Sequence, residues 1–294
     1  MTTRTVLVET AFGSFESFEG DHITEHLSEF GAYQRSDLAM LLSFVRSGDC
    51  ILDIGAHIGT FSVPLGKAVG KTGCVIAFEP VADNFELLRR NVKRNSLEDI
   101  VQPVNAIVAS GKHPLYINRI EGNSGATNFS HSQGEPLDEI QVIAIDDWWS
   151  SQAAQTTGVQ VIKIDVEGME HEVLSSAAEI IDKFHPVVHF EVFSGHHDLL
   201  AALNEFFNSR GYRFFINRAF RDSPTDTYKL AHLRRVGQLS ITRQYLFDVV
   251  AVNPSSARWP RHAASAFAAD LRIGQLAARS RASRLRRLVD GTDR

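Results

Sequence analysis

Only two cysteines, Cys50 and Cys74, occur in the chain. That is too few for a disulfide scaffold or a cysteine-rich zinc site, and it fits a reducing compartment. Glycine (20) and proline (9) are far below fibrous or low-complexity levels. No apolar run approaches the roughly 18–20 residues that a membrane span needs. The first twenty residues include Glu9 and show neither a long apolar core nor a small-residue cleavage pattern, so no secretory leader is read there. The expectation is a cytoplasmic protein without a membrane span. What the 294 residues do have is apolar material, 44% hydrophobic against 22% charged. That is enough for a substantial core and too much for a disordered chain.

The net charge of −5 hides an asymmetry. Residues 258–294 hold nine arginines and three acids, a local excess of six positive charges, so the first 257 residues carry −11. An acidic body precedes a basic tail.

Along the chain, Cys50-Ile-Leu-Asp53-Ile-Gly55 is a short apolar run closed by an acid and a glycine, the pattern of a buried strand in a parallel sheet. Helical spacing follows over His57–Val69, then a second buried strand, Cys74–Glu79, stopped by Pro80. Val81, Phe85, Leu88 and Val92 mark one helix face. Further strands are expected near Val101–Val108, Ile140–Ile145, Val159–Asp165, Pro186–Phe193, Tyr212–Asn217 and Tyr245–Asn253, with helices over Met169–Lys183 and Asp198–Arg210. Strands alternating with helices indicate an α/β fold with a doubly wound, mostly parallel sheet. The organisation read from this is an N-terminal extension, 1–48, with a cleft-flanking helix at Gln34–Arg46. A domain over 49–253 follows, with insertions at about 111–136 and 218–243, and an Arg-rich helical tail occupies 254–294.

In open α/β sheets ligands bind beyond the carboxyl ends of the strands, where strand order reverses. The turn Asp53-Ile-Gly55-Ala-His57-Ile-Gly59 belongs there, its glycines admitting a ligand close to the backbone. Glu79, at the next strand end, can accept two hydrogen bonds from a ribose diol. A dinucleotide fingerprint starting at Gly55 requires glycine at 57 and 60 but meets His57 and Thr60, so a pyrophosphate has no obvious seat. An acid-x-Gly-x-x-x-Gly turn suits S-adenosylmethionine, which has no phosphate and brings an α-amino group. Asn105, on the strand over Val101–Val108, is a further candidate contact.

The turn Asp53–Gly59, the strand end Phe78-Glu79-Pro80, the dipeptide Ile145-Asp146, the run Lys163-Ile-Asp165-Val-Glu167-Gly168-Met-Glu170, Val173-Leu174 and Phe190-Glu191-Val192 together resemble the FkbM-type methyltransferases. These stretches lie within residues 50–193, about half the chain. The resemblance implies a seven-stranded Rossmann-like sheet and methyl transfer from S-adenosylmethionine, commonly to a hydroxyl of a sugar or other natural product. Where the family usually carries asparagine this chain has His57, whose imidazole can donate as an amide can.

An alcohol is a poor nucleophile at neutral pH and needs a general base or a metal that polarises its oxygen. Lys163 and Asp165 share one face of their strand, and a lysine there needs a partner, for which Asp165, Glu167 or Glu191 are the candidates. Asp165, Glu167 and Glu191 are candidate catalytic acids with Lys163 beside them. Glu170 reads mainly as a helix-start acid. Two arrangements stay open: a carboxylate base tuned by Lys163, or carboxylates holding Mg²⁺, Ca²⁺ or Mn²⁺. No motif fixes a ligand set, so no metal site is assigned. Gly195-His196-His197-Asp198 follows the Glu191 strand, His171 enters a helix, and His189 reads as a core histidine. Asn123, Ser124, Gly125 and Asn128 are candidates for a substrate loop.

The tail reads as a solvated helix, a self-association element or a contact for an anionic partner. Nucleic acid is not expected, because the body is acidic and no aromatics interleave with the arginines. The functional expectation is an S-adenosylmethionine-dependent O-methyltransferase acting on a hydroxylated small molecule. The rivals are a non-catalytic nucleotide-binding or scaffolding protein and an NAD-dependent oxidoreductase.

Overall fold

The computed structural model describes residues 4–111, 116–118, 128–130, 134–136, 140–152, 158–192, 197–217, 233–239 and 247–258. An antiparallel hairpin, β1 (Thr5–Thr10) and β2 (Gly13–Phe18), opens the chain, followed by α1 (His22–Phe30) and α2 (Arg35–Leu42). Asp21 starts α1 by accepting from the Ile23 N–H at 2.9 Å, and Gly31 ends it in the left-handed conformation. Then come β3 (Cys50–Ile54), α3 (Ser62–Val69), β4 (Cys74–Phe78), α4 (Ala82–Arg94), β5 (Val101–Val104) and β6 (Ile107–Val108). Three short strands, β7 (Tyr116–Asn118), β8 (Asn128–Ser130) and β9 (Glu135–Pro136), form a small antiparallel sheet of their own. The remainder is β10 (Val142–Ile143), α5 (Ile145–Ser151), β11 (Val161–Ile164), α6 (Glu170–Ser176), α7 (Ala178–Phe184), β12 (Val187–Val192), α8 (His197–Ser209), β13 (Arg213–Asn217), β14 (Leu233–Val236) and β15 (Phe247–Val252).

The central sheet runs β14-β13-β15-β12-β11-β3-β4-β5. Its five strands from β12 to β5 are parallel, β15 is antiparallel to both neighbours, and β14 is antiparallel to β13. The sheet is therefore α/β and doubly wound as expected, but mixed, with eight strands rather than seven. The eighth, β14, falls inside the 218–243 insertion.

Each central strand is buried on both faces, and its side chains divide by parity between two cores. Ile51, Val75, Val161 and Val187 join the layer of α1–α4. Leu52, Ile76, Ile162 and Val188 join the layer that holds Val173, Ile181 and Phe207. Strand order reverses between β3 and β11, so the carboxyl ends of these two strands frame the ligand crevice.

Several elements depart from the sequence expectation. The strand over Val101–Val108 breaks at Asn105, because β6 leaves the main sheet to pair with β10. The strand ending at Ile145 stops at Ile143, since Ile145 opens α5 and Asp146 accepts the Glu179 and Ile180 N–H groups at the start of α7. The long helix over Met169–Lys183 splits at Ala177 into α6 and α7. The helix over Gln34–Arg46 is shorter, Arg35–Leu42, and the hairpin and α1 before it were not anticipated.

Two cysteines fit a reducing compartment by count, yet sheet register sets Cys50 directly opposite Cys74 and their sulfurs are bonded. At the same lower end of the sheet, Arg258 pairs with Asp49 at 2.5 Å and donates to the Phe44 carbonyl, while Arg46 donates to the Ala257 carbonyl at 2.9 Å. Among the described residues no helix is long and apolar enough to cross a membrane. The tail beyond Arg258, Asn123-Ser124-Gly125 and Gly195-His196 lie outside the described residues.

Candidate functional site

A cleft opens at the carboxyl ends of the parallel strands. Its floor is the turn after β3. Gly55 has φ 78, and a Cβ there would overlap the Asp165 carbonyl oxygen. Only glycine meets both demands. The N–H groups of Gly55 and Ala56 both donate to the Phe78 carbonyl, at 3.0 and 2.9 Å, which ties the turn to β4. Gly59 (φ 90) packs closely over Leu88, below the cleft rather than in its lining. His57 lines the cleft and also takes a left-handed conformation, φ 50.

Glu79 is 4% exposed. Its carboxylate accepts from the His57 N–H at 2.8 Å, the Val81 N–H at 2.9 Å and the Asn84 amide at 3.3 Å. Burial pushes its carboxyl up to about 7, against the pull of those donors and of Lys163. The acid read as a free ribose acceptor is thus also the peg that fixes the turn. Asn105 turns its amide back onto the Glu79 and Pro80 carbonyls, at 2.8 and 3.0 Å. Its neighbours Ala106, Ile107 and Val108 line the cleft there.

Across the floor, Asp53, Lys163 and His189 stand side by side on β3, β11 and β12. Lys163 donates to the Gly55 carbonyl at 2.8 Å and pairs with Asp53 at 3.3 Å and Asp165 at 3.4 Å. Of the partners weighed from sequence, the geometry selects Asp165, adding Asp53 and a backbone carbonyl that the sequence reading missed. Burial alone lowers the lysine's pKa, but Asp53 and Asp165 outweigh it and the net shift is upward. Asp53 is wholly buried, held also by the Ser62 hydroxyl at 2.6 Å, so it anchors the turn from beneath. His189 lies in the core as expected, 3.3 Å from Asp248 and stacked on Phe61.

Asp165, Glu167 and Glu191 each bring a carboxylate oxygen to within 4.8 Å of the others, and all three line the cleft. Glu167 sits at φ 51 with Gly168 at φ 108, a reversal that brings a strand-end acid and a loop acid together. Glu170 is fully buried, one oxygen accepting from the Gly168 N–H at 3.0 Å and the other without a partner. Burial, reinforced by the charge of Asp165, pushes it up to about 7. His171 packs edge-on against Phe206. The lining also includes Ile23, Tyr33, Gln34, Thr60, Phe61, Asn84 and Met169. Of these, Gln34 was expected beside the cleft as the start of the flanking helix, whereas Ile23, Tyr33, Phe61 and Asn84 reach it through tertiary packing.

The family model described as the Methyltransferase FkbM domain matches residues 53–214, more than half of the chain. The chain belongs to this family. The FkbM match begins at Asp53 and takes in the turn, Glu79, the Lys163–Glu170 run and Glu191. It leaves out the hairpin, α1, α2, β14 and β15. Among solved structures the chain is similar to an S-adenosylmethionine-dependent O-methyltransferase from Thermotoga maritima, 17% identical over 84% of this chain and 77% of that one, TM-score 0.45. It is also similar to the methyltransferase FkbM of Methylobacillus flagellatus KT, 17% identical over 71% of this chain and 47% of that one, TM-score 0.44. Over 64 residues it is 34% identical to the 23S rRNA (uracil(1939)-C(5))-methyltransferase RlmD of Acinetobacter baumannii (strain SDF). That stretch is 22% of this chain and spans 14% of that relative's length. The domain match alone decides the family.

Proposed function

We propose that this FkbM protein transfers a methyl group from S-adenosylmethionine to a hydroxyl of a sugar or other small natural product. The observation that carries this reading is the convergence of Asp165, Glu167 and Glu191 on the cleft that also holds the Gly55 turn and Glu79. The residues fit the cofactor: a glycine turn with no room for a side chain, a buried acid for the ribose, and the apolar Ala106–Val108 wall. When bound, S-adenosylmethionine supplies an activated methyl on a sulfonium.

The chain's own task is to orient the acceptor and take its proton. Asp165 is the favoured base, because the pair with Lys163 fixes its carboxylate at the mouth of the floor. Glu167 and Glu191 complete the acidic wall. The same convergence also favours a second reading, in which the three oxygens hold a divalent cation that polarises the hydroxyl. Chelation followed by Mg²⁺ or Mn²⁺ add-back separates the two: the base reading expects activity to persist in chelator. Four lining acids against one lysine disfavour a polyanionic partner such as nucleic acid, so the acceptor is taken to be a small molecule. Thermal shift tests the cofactor reading. S-adenosylhomocysteine is expected to raise the melting temperature and NAD to leave it unchanged; stabilisation by NAD alone overturns the proposal and favours an oxidoreductase.

A further inference from the structure

The corner between α1 and α2 contributes a group that no step above uses. Gln34 is 8% exposed and lines the cleft beside Tyr33. It takes the left-handed conformation, φ 42 and ψ 55, unfavourable for a residue with a Cβ. Its carbonyl accepts the first hydrogen bonds of α2, from Asp37 and Leu38 at 3.0 Å. Its side-chain amide neither caps the helix nor bonds to any described residue. Because Gln34 lines the open cleft, its amide is free to meet a ligand there, with two N–H donors and one acceptor.

We propose that Gln34 donates its side-chain N–H to the carboxylate at the amino-acid end of S-adenosylmethionine; the proposal rests on the cofactor reading above. Position supports it. Glu79 and Ala106–Val108 mark the adenosine end of the cleft. The Gln34 corner belongs to the opposite side, because α2, the helix it opens, contacts β13, which lies across the sheet from β5. A cofactor whose sugar lies at Glu79 extends its amino-acid arm away from β5 and toward this corner.

Charge supports it as well. Lys163 is the one lysine or arginine among the described residues lining the cleft, and its ammonium already serves the Gly55 carbonyl, Asp53 and Asp165. A carboxylate entering beside Asp165, Glu167 and Glu191 therefore needs a donor from elsewhere, and a neutral amide provides one without breaking the lysine's pairs. Gln34 also lies outside residues 53–214, so the family match assigns it no role.

The experiment is isothermal titration of the full chain with two probes: S-adenosylhomocysteine, and 5′-methylthioadenosine, which keeps the nucleoside and sulfur but lacks the amino-acid arm. Gln34→Ala is expected to weaken S-adenosylhomocysteine about tenfold or more. Gln34→Glu, nearly isosteric, is expected to weaken it further by setting like charges together. 5′-Methylthioadenosine should bind all three proteins within about twofold, which also shows that the variants keep an intact cleft. Unchanged S-adenosylhomocysteine affinity in both variants overturns the proposal, as does a parallel loss of both probes. Wild-type protein that binds neither probe defeats the cofactor reading itself, a different result from either of these.

Discussion

The two halves of the cleft are built in opposite ways. On the Glu79 side, the strand-end acid is held by its own neighbourhood: its carboxylate by His57, Val81 and Asn84, its carbonyl by Asn105. On the Asp165 side, three acids from two strand ends and a loop crowd together, with one lysine beneath them. The first half is a finished socket whose geometry exists before any ligand arrives. The second concentrates like charge in one place, an arrangement that costs stability and suits proton removal or cation binding.

Substitutions on either side can break or sharpen this contrast. The largest effect is expected from Asp165→Ala: turnover falls about 10²–10⁴-fold while S-adenosylhomocysteine affinity stays within about threefold of wild type by titration. Wild-type turnover in this variant would remove Asp165 from the chemistry. Gly55→Ala strikes the seam between the halves, where a methyl group meets the Asp165 carbonyl. Urea unfolding should show a loss of roughly 2–4 kcal/mol.

Glu79 gives a pH test. Its carboxyl sits at about 7, and ribose hydroxyls donate to the ionised form. S-adenosylhomocysteine affinity should therefore rise about tenfold from pH 6 to pH 8. Glu79→Gln should bind more weakly and without that slope; a wild-type profile that is flat or falls with pH would contradict the assignment. Folding stability responds with the opposite sign. Because Glu79 and Glu170 are raised from 4.5 to about 7, their contribution is fullest below 4.5 and is lost as pH climbs through 7. The smallest effect is expected at Asn105→Ala, which frees the Glu79 and Pro80 carbonyls. Cofactor affinity should drop only a few-fold, on the order of 1 kcal/mol; a loss as large as that of Glu79→Gln would mean that Asn105 touches the cofactor directly.

The socket was the readable half because it is local in sequence. Asp53, Gly55, Glu79 and the helices after them follow from strand, turn and helix patterning within thirty residues. Lys163 was recognisable as a buried lysine in need of a partner, but register alone places it beside Asp53, and the Gly55 carbonyl is a backbone group that no side-chain pattern signals. The short helix α6 ends at Ala177 because Asp146, thirty-odd positions earlier, caps α7; nothing near Ala177 announces it. The antiparallel strand β14 was hidden in a polar, basic stretch whose Leu233–Val236 run is too short to stand out. Gln34 was placed near the cleft only as the first residue of a flanking helix, and Tyr33 was not placed there at all. Their approach depends on a left-handed residue that is not glycine, and composition does not foretell that.

The latch formed by Arg258, Asp49, Arg46 and Ala257 stands at the foot of β3, with the Gly55 turn at the other tip of the same strand. Five residues of extended backbone, about 17 Å, separate the two poles. A reporter or tether joined to the chain just after Arg258 would consequently start from the base of the molecule, leaving the mouth of the crevice clear for whatever enters it.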